Sequence, residues 1–478
     1  MEKNRRRIGG FLFRIFVLLI ISAMTISVLS TIVSAARGLD AFSDVKSDAW
    51  YYQDITEMTA LEFINGYPDG TFRPNGRMTC AEFIKLITVV LEIYSPDEES
   101  TLPPIDINEA GGNEKHWANK YISAACCAGI IVGEDVWDGS FVYDKPITRS
   151  YMAKIIVRLL GLSTDIQNGR MFADDASVYA EAVAEEYIVL GYTSEYGREY
   201  RGYLFMTRAE AAAVVMRVRE YRENPKEYRT KAIIKNAGNT TLTTQKELID
   251  FFCAVNRKCP ASFRFTSSFS YREWHDVYML AQQLYPEYFM STGFTCYYKD
   301  GYNVFNVELE YSSSVSDAAR MMTVAETYAA SIAPGIIDEN ADFVEKLRQI
   351  HDYIILNCKY DYENYKNGTI PRKSYTAYGV FAEGTAVCQG YSAAFSLLCA
   401  EAGIKTVSVV GTSPNGENHC WNMVYIGGKT YYIDPTFDDP VPDVEGSTKY
   451  EYFMLGAEEM RAKGYSWDEN VFTADYVK

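Results

Sequence analysis

The chain has 478 residues, more than one small core can hold, and its composition (48% hydrophobic, 23% charged) is that of a folded protein with several domains. A net charge of −17, with no basic stripe to offset it, excludes nucleic acid as a partner. Tyrosine is abundant, at 38 residues, which suits both strands and sugar-binding surfaces.

Arg5, Arg6 and Arg7 precede an apolar run from Ile15 to Val33 that closes on Ser34-Ala35-Ala36. A positive stretch, an apolar stretch and small residues make an export signal over residues 1–36, either cleaved or kept as an amino-terminal anchor. Both outcomes put the rest of the chain outside the cytoplasm. The ten cysteines do not read as a disulfide framework. Cys388 is needed as a free thiol (below), nine cannot all pair, and a bridge between the adjacent Cys126 and Cys127 would be strained. Mostly buried, reduced thiols are expected. No Cys/His spacing reads as a zinc site, and no metal or cofactor is expected.

A pattern recurs three times. The first pass runs from Phe42-Ser43-Asp44 through Trp50 and the turn Pro68-Asp69-Gly70 to Thr79-Cys80-Ala81-Glu82. Thr79 and Glu82 form a capping box, and Phe83, Ile84, Ile87 and Val90 give the helix it opens a buried stripe. The second pass has Trp117 and Gly129 before Thr148-Arg149. The third has Asp174 and Gly191 before Thr207-Arg208-Ala209-Glu210. The threonines lie 69 and 59 residues apart.

These repeats resemble the S-layer homology module, over roughly residues 38–222. The resemblance implies a helical three-repeat domain that binds pyruvylated secondary cell-wall polysaccharide through Asp44, Trp50, Trp117, Arg149, Asp174 and Arg208. An arginine fork at a helix amino terminus suits the ketal carboxylate, and an aromatic face suits a sugar ring. Repeat one carries Cys80 where arginine is expected, and repeat three has no early tryptophan. The repeats are placed at 37–97, 98–163 and 164–222.

Residues 223–335 read as a linker followed by a small α+β accessory region. The charged run Arg219–Arg229 around Pro225 marks the linker, and Thr244 with Glu247 opens a helix. Phe305, Val307, Leu309 and Tyr311 alternate with polar residues as a strand.

In residues 336–478, Tyr391, Ala394, Phe395, Leu398, Cys399 and Ala402 recur at helical spacing after Cys388, predicting a helix with one buried face that Gly403 ends. Cys388 then sits at the helix amino terminus, where the dipole and free amides favour a thiolate and can hold an oxyanion. Asn418–Ile426 and Lys429–Asp434 read as a hairpin around Gly427-Gly428. A two-residue turn pairs Ile426 with Lys429, and therefore Trp421 with Asp434. His419 and Asp434 become diagonal neighbours on one face, an imidazole beside a carboxylate. Trp421 and Asn422 are expected to support the histidine. No Gln lies between Phe381 and Val387 to serve as an oxyanion donor, so a Tyr or main-chain group must do so.

Over roughly residues 340–456 the chain also resembles the transglutaminase-like superfamily. The matching residues are Gly390-Tyr391, Ala402-Gly403-Ile404, His419-x-Trp421-Asn422 and Asp434-Pro435-Thr436-Phe437-Asp438. The resemblance implies a papain-like α+β fold and acyl transfer through a thioester, with Cys388 as nucleophile, His419 as base and Asp434 as orienting acid. The expected architecture is multidomain: a helical three-repeat domain, then a papain-like α+β core with the accessory region. The expected function is a wall-anchored thiol enzyme acting on peptide amides of the wall or of surface proteins. The alternative is a surface protein whose thiol module is inactive.

Overall fold

The computed structural model describes residues 42–94, 116–135, 143–165, 171–174, 177–194, 197–299, 301–442 and 446–477; the expected export signal lies outside them. The chain divides into two compact units, Met1–Tyr228 and Arg229–Lys478.

The first unit is helical: α1 (Tyr52–Ala60), α2 (Cys80–Val90), α3 (Asn119–Cys127), α4 (Arg149–Leu160), α5 (Val178–Glu185) and α6 (Arg208–Glu223), with a hairpin of β1 (Tyr192–Ser194) and β2 (Gly197–Glu199). The side chains of Thr79, Thr148 and Thr207 cap α2, α4 and α6, and the boxes with Glu82 and Glu210 are complete. Helix-start amides lack intrahelical acceptors. Here each first amide donates to the loop that opens another of the three helices: Cys80 to the Lys145 carbonyl at 2.9 Å, Arg149 to Leu204 at 2.9 Å and Arg208 to Gly76 at 2.8 Å. The three contacts close a ring. Phe83, Ile84, Ile87, Ile155 and Ile156 are fully buried along α2 and α4.

The expected linker over 219–229 is helical, and the division between the two compact units falls within it. Arg219 to Glu223 complete α6, and α7 (Pro225–Asn239) starts at once. Asn224 explains the break: its side chain accepts the Glu227 N–H at 2.9 Å, and proline tolerates the first helical position.

The second unit begins within α7 and continues with β3 (Thr241–Leu242), α8 (Gln245–Arg257), β4 (Ser262–Ser267), α9 (Tyr271–Leu284), β5 (Gly293–Tyr297), β6 (Val304–Glu310) and α10 (Val315–Ile336). The strands form one sheet in the order β3-β4-β6-β5. Phe305, Val307 and Leu309 of β6 point inward as the alternation requires. α10 ends at Ile336, one residue past the expected boundary at 335. Ala325, Ala329 and Ala333 share one core with residues of α11 (Phe343–Asn357) and α13 (below).

After α11 come β7 (Lys359–Tyr360), α12 (Tyr362–Asn367), β8 (Thr385–Ala386), α13 (Cys388–Glu401), β9 (Thr406–Thr412), β10 (Asn418–Ile426), β11 (Lys429–Ile433), α14 (Pro435–Asp438) and α15 (Ala457–Ala462). Antiparallel β11-β10-β9 form a three-stranded sheet. Helix α13 differs from expectation. It is buried on every side from Gly390 to Cys399, because the sheet covers one face while α10 and α11 cover the other. All ten cysteines are free thiols, five of them buried.

Candidate active site

Cys388 is the first residue of α13 and is half-buried. Close packing holds this helix start in place. A Cβ on Gly390 would lie 2.6 Å from the Ser374 carbonyl and 3.1 Å from that of Thr376, so only glycine fits there. Upstream, β8 pairs with β7, setting Tyr360 beside Ala386, two residues before the thiol. Burial, then the charge of Cys388, push the Tyr360 hydroxyl's pKa up, so it remains a proton donor.

The hairpin forms in the expected register, from Ile426 opposite Lys429 to Asn422 opposite Ile433. Gly427 and Gly428 both have positive φ, 60° and 83°, as a tight hairpin turn demands. Asp434 follows β11 directly and caps α14, its Oδ1 accepting the N–H groups of Thr436 (3.0 Å) and Phe437 (3.2 Å). Its Oδ2 lies 2.7 Å from His419 Nε2. The Cys388 side chain lies close enough to the same imidazole to act on its titration. Burial lowers the His419 pKa, but the charge and hydrogen bond of Asp434, then the Cys388 contact, outweigh it and raise it to about 10.

Three supports surround the pair. Phe437 packs edge-on to the His419 ring at 4.9 Å between centroids, and Trp421 stacks at 6.0 Å. Asn422 Nδ2 donates to the Ser392 carbonyl and to Ser396 Oγ, both at 3.1 Å, fastening the histidine strand to the cysteine helix. The Tyr465 hydroxyl donates to Asp434 Oδ2 at 2.7 Å. Sequence reasoning missed Tyr465, which lies 31 residues beyond Asp434 with no motif around it.

Comparison with known proteins assigns both parts. Residues 330–435 match the model of the Transglutaminase-like superfamily, and residues 41–84 match that of the S-layer homology domain. The chain carries an S-layer homology domain followed by a transglutaminase-like domain. Similar proteins include a cellulosome-anchoring protein of Acetivibrio thermocellus, 33% identical over 25% of this chain and 26% of its own length. S-layer protein EA1 of Bacillus anthracis is 28% identical over 46% of this chain and 25% of its own length. An endoglucanase of Bacillus sp. (strain KSM-635) is 29% identical over 36% and 18%. The chain thus spans about a quarter or less of these relatives. With its S-layer homology domain, it is a bacterial cell-surface protein anchored to the wall.

In the amino-terminal unit, Trp50 is 61% exposed. Asp44 is committed to its own turn: its two oxygens accept the N–H groups of Phe72 (2.7 Å) and Arg73 (2.8 Å). Asp174 repeats this on Tyr200 (2.8 Å) and Arg201 (2.7 Å). Trp117 is half exposed. The arginines are not the open forks that the sequence suggested. Buried Arg149 donates to the Tyr200 carbonyl (3.0 Å) and pairs with Glu210 (3.2 Å), while Arg208 donates to the Phe72 carbonyl (3.0 Å). Both guanidiniums tie a helix start to a neighbouring loop.

Proposed function

We propose that the transglutaminase-like domain is a thiol acyl-transfer enzyme, of peptidase or transglutaminase type, acting on peptide amides of the wall or of surface proteins. The observation that carries this reading is the buried 2.7 Å bond between His419 Nε2 and Asp434 Oδ2, with the Cys388 side chain on the same imidazole at a helix start. In the reaction, the Cys388 thiolate attacks the amide carbonyl and forms a C–S bond. The tetrahedral oxyanion meets the Cys388 backbone N–H and the Tyr360 hydroxyl. His419, protonated by the thiol, gives that proton to the departing amine, leaving a thioester. Water or a second amine, deprotonated by His419, then displaces the sulfur. Asp434 holds the imidazole's orientation and charge throughout.

The amino-terminal unit is proposed to comprise three S-layer homology repeats that hold pyruvylated secondary cell-wall polysaccharide. The exposed rings of Trp50 and Trp117 are the surfaces open to a sugar. Incubating wall peptides with the full protein and with Cys388→Ala, followed by mass spectrometry, tests the activity. The reading expects hydrolysed or cross-linked amides with the native protein alone. Identical peptide spectra from both would favour the non-catalytic surface role.

A further inference from the structure

The turn that begins at Asp434 ends on a second buried carboxylate, Asp438. Asp438 Oδ2 lies 3.1 Å from Nε2 of His351, a histidine of α11 with no exposed surface. Nδ1 of the same ring lies 3.1 Å from Asp352 Oδ1, and Asp352 Oδ2 accepts the Tyr450 hydroxyl at 2.8 Å. Tyr450 stacks on the imidazole and Phe453 meets it edge-on. Both nitrogens therefore face carboxylates. A neutral imidazole has only one N–H, so only the imidazolium can donate to both. Burial disfavours that charge, but the hydrogen bonds and charges of the two aspartates prevail, and the His351 pKa is raised.

This cluster connects to the reacting groups through one residue. The Tyr452 N–H donates to both Asp438 oxygens, at 3.1 and 3.2 Å, while the Tyr452 carbonyl accepts the Asp434 N–H at 2.9 Å. The Tyr452 ring also packs on Phe437 and Tyr465, which both touch the His419–Asp434 pair. Two histidine–aspartate pairs thus share one turn, one aimed at the thiol and one anchored in α11.

We propose that His351 is a positioning residue: clamped as an imidazolium between Asp352 and Asp438, it fixes the 434–438 turn and so keeps Asp434 on His419. The proposal rests on reading Cys388, His419 and Asp434 as the reacting groups. The titratable groups around it are Asp352 and Arg348 on its own helix, Asp438 and Asp434 on the turn, and Tyr450 and Tyr452 opposite. When His351 loses its proton, Asp438 becomes a buried carboxylate without a counter-charge, and the turn loosens. The site then has an alkaline limit of its own, separate from the titration of His419.

The test is the rate of Cys388 alkylation by iodoacetamide from pH 5 to 10, on the full chain and on His351→Gln. Glutamine can still donate to Asp438 but carries no charge. The variant is expected to fold, to react about tenfold more slowly at pH 6, equivalent to one pH unit in the profile, and to lack the alkaline limb. A profile that overlays the native one while only the melting temperature falls would show a purely structural role and overturn the proposal. Should His351→Gln not fold, Asp352→Asn weakens the clamp from its partly exposed side. It is expected to move the alkaline limb toward neutral pH, and an unmoved limb overturns the proposal. If native Cys388 reacts no faster than free cysteine, the acyl-transfer reading fails first and this one falls with it. Fast native alkylation with unmoved profiles in the variants sinks the positioning role alone.

Discussion

His419 Nε2 and the Tyr465 hydroxyl meet on the same oxygen, Asp434 Oδ2, each at 2.7 Å. The other oxygen caps α14 through Thr436 and Phe437. The carboxylate is thus held from four directions and has no exposed surface, so the imidazole it bonds has little freedom to swing.

Asp434→Asn keeps the shape and removes the charge. Turnover of a peptide amide is expected to fall by roughly 10³–10⁴-fold, the scale seen when a triad acid loses its charge. Weakened charge-assisted bonds should also lower stability by about 2–3 kcal/mol, measured by urea unfolding.

Stability should depend on pH through His419, whose pKa is raised from 6.5 to about 10 by Asp434 and Cys388 against the cost of burial. A raised pKa contributes stability in full below the unfolded value near 6.5 and loses it as pH rises through the folded value. The melting temperature of the native protein should therefore decline between pH 7 and 10. His419→Asn should flatten that decline.

Asn422→Leu keeps the volume but removes both 3.1 Å bonds from β10 to α13. The buried Ser392 carbonyl loses a donor, at a cost of about 1–3 kcal/mol. Turnover should fall more than KM rises, because the thiol and imidazole are then less well aligned.

How far the sequence revealed this site depends on the range of each interaction. The His419–Asp434 pairing was legible because a two-residue glycine turn fixes strand register, and Ile426 does pair with Lys429. The place of Cys388 at a helix start was legible from the apolar spacing after it. That spacing did not reveal that α13 is enclosed on all sides, since Ser392 and Ser396 look like a solvent face until Ser408 and Asn422 are packed against them. Tyr465 and the His351–Asp438 pair were not legible. Their partners lie 31 and 87 residues away, and only tertiary packing joins them. In the amino-terminal unit, capping boxes marked two of the three helix starts. The ring of loop contacts that commits Arg149 and Arg208 had no local signal.

Trp50→Ala and Trp117→Ala test the wall-binding proposal. Both side chains are half or more exposed, so the melting temperature should barely move. Sedimentation with purified wall polysaccharide should weaken by roughly tenfold for each, the scale of a lost aromatic contact of about 1.4 kcal/mol. Comparing pyruvylated with depyruvylated polysaccharide shows whether a carboxylate is read at all.

The central claim is that His419 activates Cys388. Its most direct measurement is the rate of Cys388 alkylation by iodoacetamide at pH 6, where a free thiol of pKa about 8.5 is almost wholly protonated. Cys388 is expected to react at least roughly tenfold faster than free cysteine under these conditions, and His419→Asn to abolish the advantage. Equal rates for Cys388, free cysteine and the His419 variant would contradict it.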